Sequence, residues 1–274
     1  MARLNQIFSA VFDLVLGRLG HDRPWFDLSL WPILAGVVAL LVIKAVSNQA
    51  GITRAKNFIQ VHLLEIVLFR NDLRVVLPAT FRALRYNLQY LGYNIIPMLV
   101  MIVPMTLILV QLVSHYAYAP TPVGGVVTVV AELDPKVGGV KPAEVSLELP
   151  PGVVLDAPLV RTAGPTIAWR LRVTEPGDHV LKVLAGSHVE EKLLSAGGEA
   201  RKVSVLRTKS LEAILYPAEP VPAADSPIAS IRIMERQDQP LGLLPAGEGG
   251  ILLWFFGLSL LAGFLLKDFF GVTL

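Results

Sequence analysis

Three stretches of the chain stay apolar for about the length of a membrane crossing: residues 28–47, 94–118 and 249–268. A spanning helix needs about 20 mainly apolar residues, so each predicts a transmembrane helix. Between the second and third stretches the pattern changes. From Gly124 onward, apolar and β-branched residues alternate with polar ones, in runs at 126–133, 145–149, 167–173, 179–185, 188–193, 203–206 and 228–234. Turn residues separate the runs, as in Pro150–Pro151–Gly152 and Glu175–Pro176–Gly177–Asp178. Several short strands at this spacing predict an antiparallel β-sandwich. Trp169 sits among inward positions of one run and is the candidate core aromatic.

Two other regions have helical spacing. Leu4, Ile7, Phe8, Val11, Phe12, Val15 and Leu19 predict an amphipathic helix lying on a membrane surface, within residues 1–27. Residues 48–93 read as a hairpin of two short helices, broken at Asn71–Asp72 and carrying Pro78 in the second. The fold class is therefore membrane α-helical, with three spans and an all-β domain over residues 119–248 between spans two and three. Residues 269–274 form a short tail. Residues 216–226, rich in Pro and Ala, read as a linker.

Charge sets the expected direction. Residues 48–93 hold Arg54, Lys56, Arg70, Arg74, Arg82 and Arg85 against two acids, Glu65 and Asp72. Short Lys/Arg-rich loops stay cytoplasmic. The β-domain is then external, on the periplasmic face of a bacterial-type inner membrane. Arg70, Arg74, Arg82 and Arg85 are candidate contacts for anionic lipid headgroups. Only 17% of residues are charged and the net charge is +2, which gives no field for nucleic acid. There are no cysteines, which excludes disulfides, thiolate metal sites and cysteine nucleophiles.

Spacing identifies no catalytic, cofactor or metal site. No phosphate-binding loop, dinucleotide fingerprint or nucleophile elbow occurs. His62 and Glu65 share an i, i+3 spacing without the further carboxylates a metal pair needs. His179 and His188 bracket an expected hairpin but lack a third ligand. The expectation is a non-enzymatic protein whose partners are the lipid bilayer and other membrane proteins.

Two resemblances sharpen this. The run IAWRLRVTEPGDHVLKV, within residues 124–210, resembles bacterial immunoglobulin-like domains. The order of span, basic cytoplasmic hairpin, span, external segment and span resembles the core of the YidC/Oxa superfamily of membrane insertases. That resemblance implies a hydrated groove that eases a client's polar end across the bilayer. Met98, Met101 and Met105 recur at helical spacing on the second span, and Lys44 and Gln111 add polarity inside spans. These five are the candidate client or partner groove. The alternative is an accessory subunit of a larger envelope complex. In it, Ala35, Gly36, Gly257, Ala262 and Gly263 would allow close contact with partner helices, and the β-domain would bind an external protein.

Overall fold

A computed structural model describes residues 24–137, 140–161, 164–197, 202–239, 242 and 244–272. The surface helix expected over residues 1–27 lies, up to residue 23, outside the described residues. Among the described residues there are four α-helices: α1 (Pro24–Val46), α2 (Gln49–Leu68), α3 (Leu73–Tyr116) and α4 (Glu248–Phe270). Three of them, α1, α3 and α4, are long and apolar enough to cross a membrane.

Local chemistry explains their ends. Pro24 opens α1, where its missing N–H costs nothing. Asn48 caps α2 by accepting from the Gly51 N–H at 2.9 Å. Asp72 stands before α3 and accepts from the Arg74 N–H at 2.9 Å. The second connector helix does not stop before the span, contrary to the expectation from sequence. α3 runs unbroken for 44 residues, through Gly92 and past Pro78, Pro97 and Pro104. A break inside an apolar stretch would free backbone groups that lipid cannot satisfy, so the helix continues. α4 likewise extends to Phe270, into the expected tail.

Two compact units divide the chain. One joins Ser29–Ile108 to Phe255–Leu274; the other joins Leu109–Trp254 to the chain up to Leu28. In the helical unit α1 and α4 approach closely at Gly36. A Cβ there would lie 2.5 Å from the Ser259 carbonyl and 3.1 Å from the Ala262 Cβ. Glycine is thus required at that crossing, and Gly36, Ala35 and Ala262 serve packing within the chain.

The other unit carries ten strands among the described residues, all paired antiparallel. They are β1 (Tyr118–Ala119), β2 (Val126–Leu133), β3 (Val145–Glu148), β4 (Val153–Arg161), β5 (Thr166–Val173), β6 (Gly177–Ala185), β7 (His188–Ala196), β8 (Leu206–Thr208), β9 (Ile228–Ile233) and β10 (Arg236–Gln237). A five-stranded sheet has the order β4-β5-β2-β9-β8, a three-stranded sheet β3-β6-β7, and β1 pairs with β10. One buried apolar cluster draws on both larger sheets. It includes Val129, Trp169, Leu171 and Ile231 from the first and Leu181, Val183 and Leu194 from the second. Period-2 alternation puts them there: β5 buries Ile167, Trp169, Leu171 and Val173 and exposes Arg170 and Arg172. β6 and β7 meet at Gly186–Ser187, and Gly186 takes φ +60° in that two-residue loop.

β4 is absent from the strands expected from sequence. Its run, VVLDAPLVR, holds Pro158 and Asp156 and does not alternate. The pairing with β5 shifts register twice, between Leu155 and Ala157 and between Ala157 and Val160. Such a strand is tolerated because it lies at the sheet edge, where proline need not donate.

Candidate functional site

The helical unit and the strand unit each hold candidate residues. In the helical unit, α2 and α3 pack as a hairpin. Phe58 stacks on Tyr86 with centroids 4.6 Å apart, and the His62 ring lies 5.7 Å from the same tyrosine. His62 Nδ1 is 2.8 Å from Glu65 Oε2, a pair within one helix turn. No group of three metal-binding side chains occurs among the described residues. A recess at the hairpin base is lined by Asn48, Gly51, Arg54, Tyr86, Gln89 and Tyr93. The Gln89 amide donates to the Tyr93 hydroxyl at 2.8 Å on its wall.

The expected groove residues differ in exposure and in the unit that carries them. Lys44 is exposed at the end of α1, beside Leu34, Val38 and Leu41, which are also exposed. Met98 is 66% exposed, Met101 only 9%, and Met105 is half-buried. The three methionines therefore do not line one open surface. A spacing of three and then four residues spreads them across a helix face broad enough to be half covered. Gln111 is fully buried, and its side-chain oxygen accepts from Lys202 Nζ at 3.2 Å. It belongs with the strand unit and ties the end of α3 to residues 202–203, where the Val203 N–H also reaches the Ser114 carbonyl at 2.9 Å. Arg70, Arg74, Arg82 and Arg85 are all exposed.

The strand unit holds a polar cluster that residue order did not reveal. Lys192 on β7 is completely buried. Its ammonium donates to the Ser204 carbonyl at 2.6 Å, to the Ser204 hydroxyl at 2.7 Å and to the Glu219 carboxylate. Glu219 also accepts from the Ser204 hydroxyl and, at 2.6 Å, from the Leu193 N–H. Burial lowers the Lys192 ammonium from its ordinary value, and the adjacent Glu219 opposes that shift. Next to it, Arg207 pairs with Glu190 at 2.8 Å and donates to the Pro220 carbonyl. Glu190 accepts from the Ala223 N–H, and Lys209 donates to the Ala224 and Ser226 carbonyls. The Pro/Ala stretch is therefore a strap pinned along its length, where composition suggested a free linker. A signal was present: Glu190 and Lys192 occupy the parity of β7 that buries Leu194 and Ala196.

Glu235, just past β9, accepts from the Thr121 hydroxyl at 2.7 Å, while its second oxygen is buried without a partner. Burial pushes its carboxyl up to about 7, against the Thr121 bond and the Lys192 charge. The folded state then holds this proton more tightly than the unfolded chain. Its contribution is full below the ordinary value of 4.5 and is lost as pH rises through 7. Glu235→Gln keeps the acceptor and removes the titration. In unfolding of the full-length protein, wild type and variant match near pH 5, and by pH 8 wild type is the weaker by on the order of 2–3 kcal/mol. Parallel pH profiles would show that Glu235 is ionised freely.

The helix ends that belong to the strand unit are held there by polar bonds. The Tyr116 hydroxyl donates to Asp27 at 2.5 Å. The Trp254 indole donates to the Leu28 carbonyl at 2.6 Å. Tyr118 and Tyr216 both donate to Glu248 Oε1 at 2.7 Å. Burial, with the Glu248 carboxylate next, pushes the Tyr216 hydroxyl up to about 12, so it stays a donor. The two histidines of β6 and β7 stand apart: His179 is registered with Leu194, whereas His188 closes the far end of the hairpin opposite Ala185. His179 instead lies 2.9 Å from the Glu175 carbonyl and 3.1 Å from that of Pro151.

Comparisons with known families, with curated proteins and with solved structures return no match for this chain.

Proposed function

We propose that the chain is a non-enzymatic membrane-protein insertion or assembly factor of YidC/Oxa-like organisation. The basic α2–α3 hairpin lies in the cytoplasm, and the strand unit is an immunoglobulin-like sandwich on the external face of an inner membrane. The observation that carries this reading is the outer face of α1: Leu34, Val38 and Leu41 are uncovered, and exposed Lys44 ends the row. An apolar client helix packs on such a face, and its acidic flank meets the cation at the cytoplasmic edge. A photocrosslinker at Leu41 during membrane-protein synthesis is expected to give adducts of many sizes. One at Leu265, exposed on α4, gives far fewer. Silence at Leu41, or equal yields at both positions, would sink the reading.

A second reading has its own support. β4 is an edge strand of nine residues that exposes Val154, Leu155 and Val160. An edge of that kind accepts a strand from another protein. A single adduct of fixed size at Leu41, with one protein copurifying in fixed ratio, favours an accessory subunit.

A further inference from the structure

The uncovered face of α3 has a regular spacing. Leu77, Leu84, Leu91 and Met98 recur every seven residues. Phe81, Leu88, Ile95 and Ile102 fall between them, alternately four and three residues away. All eight are at least half exposed. This is the a/d pattern of a coiled-coil seam, with Leu77, Leu84, Leu91 and Met98 at d and Phe81, Leu88, Ile95 and Ile102 at a. The face turned to α2 is different: Ala79 and Ala83 are buried there, and Tyr86 meets Phe58. So the α2–α3 hairpin uses one side of α3 and leaves the seam free.

We propose that the seam pairs with the same seam of a second copy, making a parallel homodimer. Three observations select that occupant. First, copies in one membrane share one direction, so their α3 helices can only pair parallel, and a parallel pair sets each seam residue against itself. Second, no like charges meet in that register from Leu77 to Ile102. The flanking e and g positions that face one another are Arg85 with Thr80, Gly92 with Asn87, and Leu99 with Asn94. Arg74, one heptad before Phe81, is where the apolar seam stops. Third, the area suits a dimer. Eight such side chains present on the order of 800 Å² of apolar surface, about one partner's share of a stable interface. Lipid does not account for the whole seam, since Leu77 through Leu91 precede the apolar stretch that begins at Asn94. A monomer would leave that part in water, where contiguous apolar patches of such size mark interaction sites.

The lack of native cysteine makes the test direct. Leu84→Cys and Leu91→Cys, at d positions, are oxidised in membranes and in the purified full-length protein. Arg82→Cys, exposed but off the seam, is the control. The expected result is a disulfide-linked dimer from the first two and none from the third. Leu84→Asp, which sets two carboxylates against each other, raises the dissociation constant at least about tenfold in light scattering. Absence of a linked dimer from both Leu84→Cys and Leu91→Cys overturns the proposal. So does equal linkage at Arg82→Cys, or a wild-type protein that is monomeric at every concentration. These readouts do not depend on client handling, so either proposal can fail alone.

Discussion

Glu219→Ala destabilises the strand unit by about 3–5 kcal/mol, and Lys192→Met in the same chain restores most of that loss. The reason is the position of the ammonium. Lys192 is completely buried, and Glu219 is the carboxylate that compensates it. Without Glu219, a cation remains in the interior with only the two Ser204 oxygens, and the Leu193 N–H loses its acceptor. Methionine at 192 removes the charge and keeps a similar length of chain, which is why the double variant recovers. Replacing a buried pair by apolar side chains is often neutral, whereas breaking one is costly. Denaturant unfolding of the full-length protein, read by hydrogen exchange of the β5 and β7 amides, measures both. If the single variant unfolds with wild type, the pair is not what pins the strap. If the double variant is as weak as the single one, the loss comes from packing of the strap and not from the charge.

Trp169→Ala costs about 3–5 kcal/mol as well, through a different term. Trp169 is 2% exposed, registered opposite Val129 on β2, and belongs to the cluster shared by the two larger sheets. Its removal leaves a large hole between sheets whose backbone hydrogen bonds keep them from closing it. The neighbouring face of the same strand supplies a control. Asp156 bridges Arg170 at 2.9 Å and Arg172 at 2.5 Å, and both arginines are about half exposed. Asp156→Ala is expected to cost about 1–2 kcal/mol, because the arginines keep their water although the carboxylate is largely covered. Similar losses from the two substitutions would mean that the inward and outward faces of β5 are reversed.

Much of this was readable in residue order, for a physical reason. Membrane crossings impose a length of unbroken apolar sequence and half-buried strands a period of two, which Ile167, Trp169, Leu171 and Val173 obey without exception. β4 was not readable because an edge strand with Pro158 and two register shifts answers to no period. The extent of α3 was hidden because hydropathy changes at Asn94 while the helix does not: a change from amphipathic to uniformly apolar sequence marks where lipid begins, not where backbone hydrogen bonding stops. Lys192 and Glu219 lie 27 positions apart, and nothing local couples a charge on an inward strand position to an acid in a Pro/Ala segment. The methionine row differs in exposure from residue to residue, which spacing does not show. Helical spacing shows which residues share a side but not whether that side is covered, and here Met98 is open while Met101 is shut.

The unbroken α3 makes bilayer thickness a mechanical input. If a loop joined the hairpin to the span, changes in span tilt would stop at the loop. Here the 21 residues from Leu73 to Tyr93 continue the span as a rod of about 32 Å. Spans answer a thinner or thicker bilayer by tilting, and a tilt of about 10° would swing the far end of that rod by about 6 Å. The soft points along α3 are its three prolines, each of which lacks one backbone bond. Pro97 lies nearest the junction, so the stiffness of α3 at that residue sets how much of the lipid environment is felt at the hairpin tip.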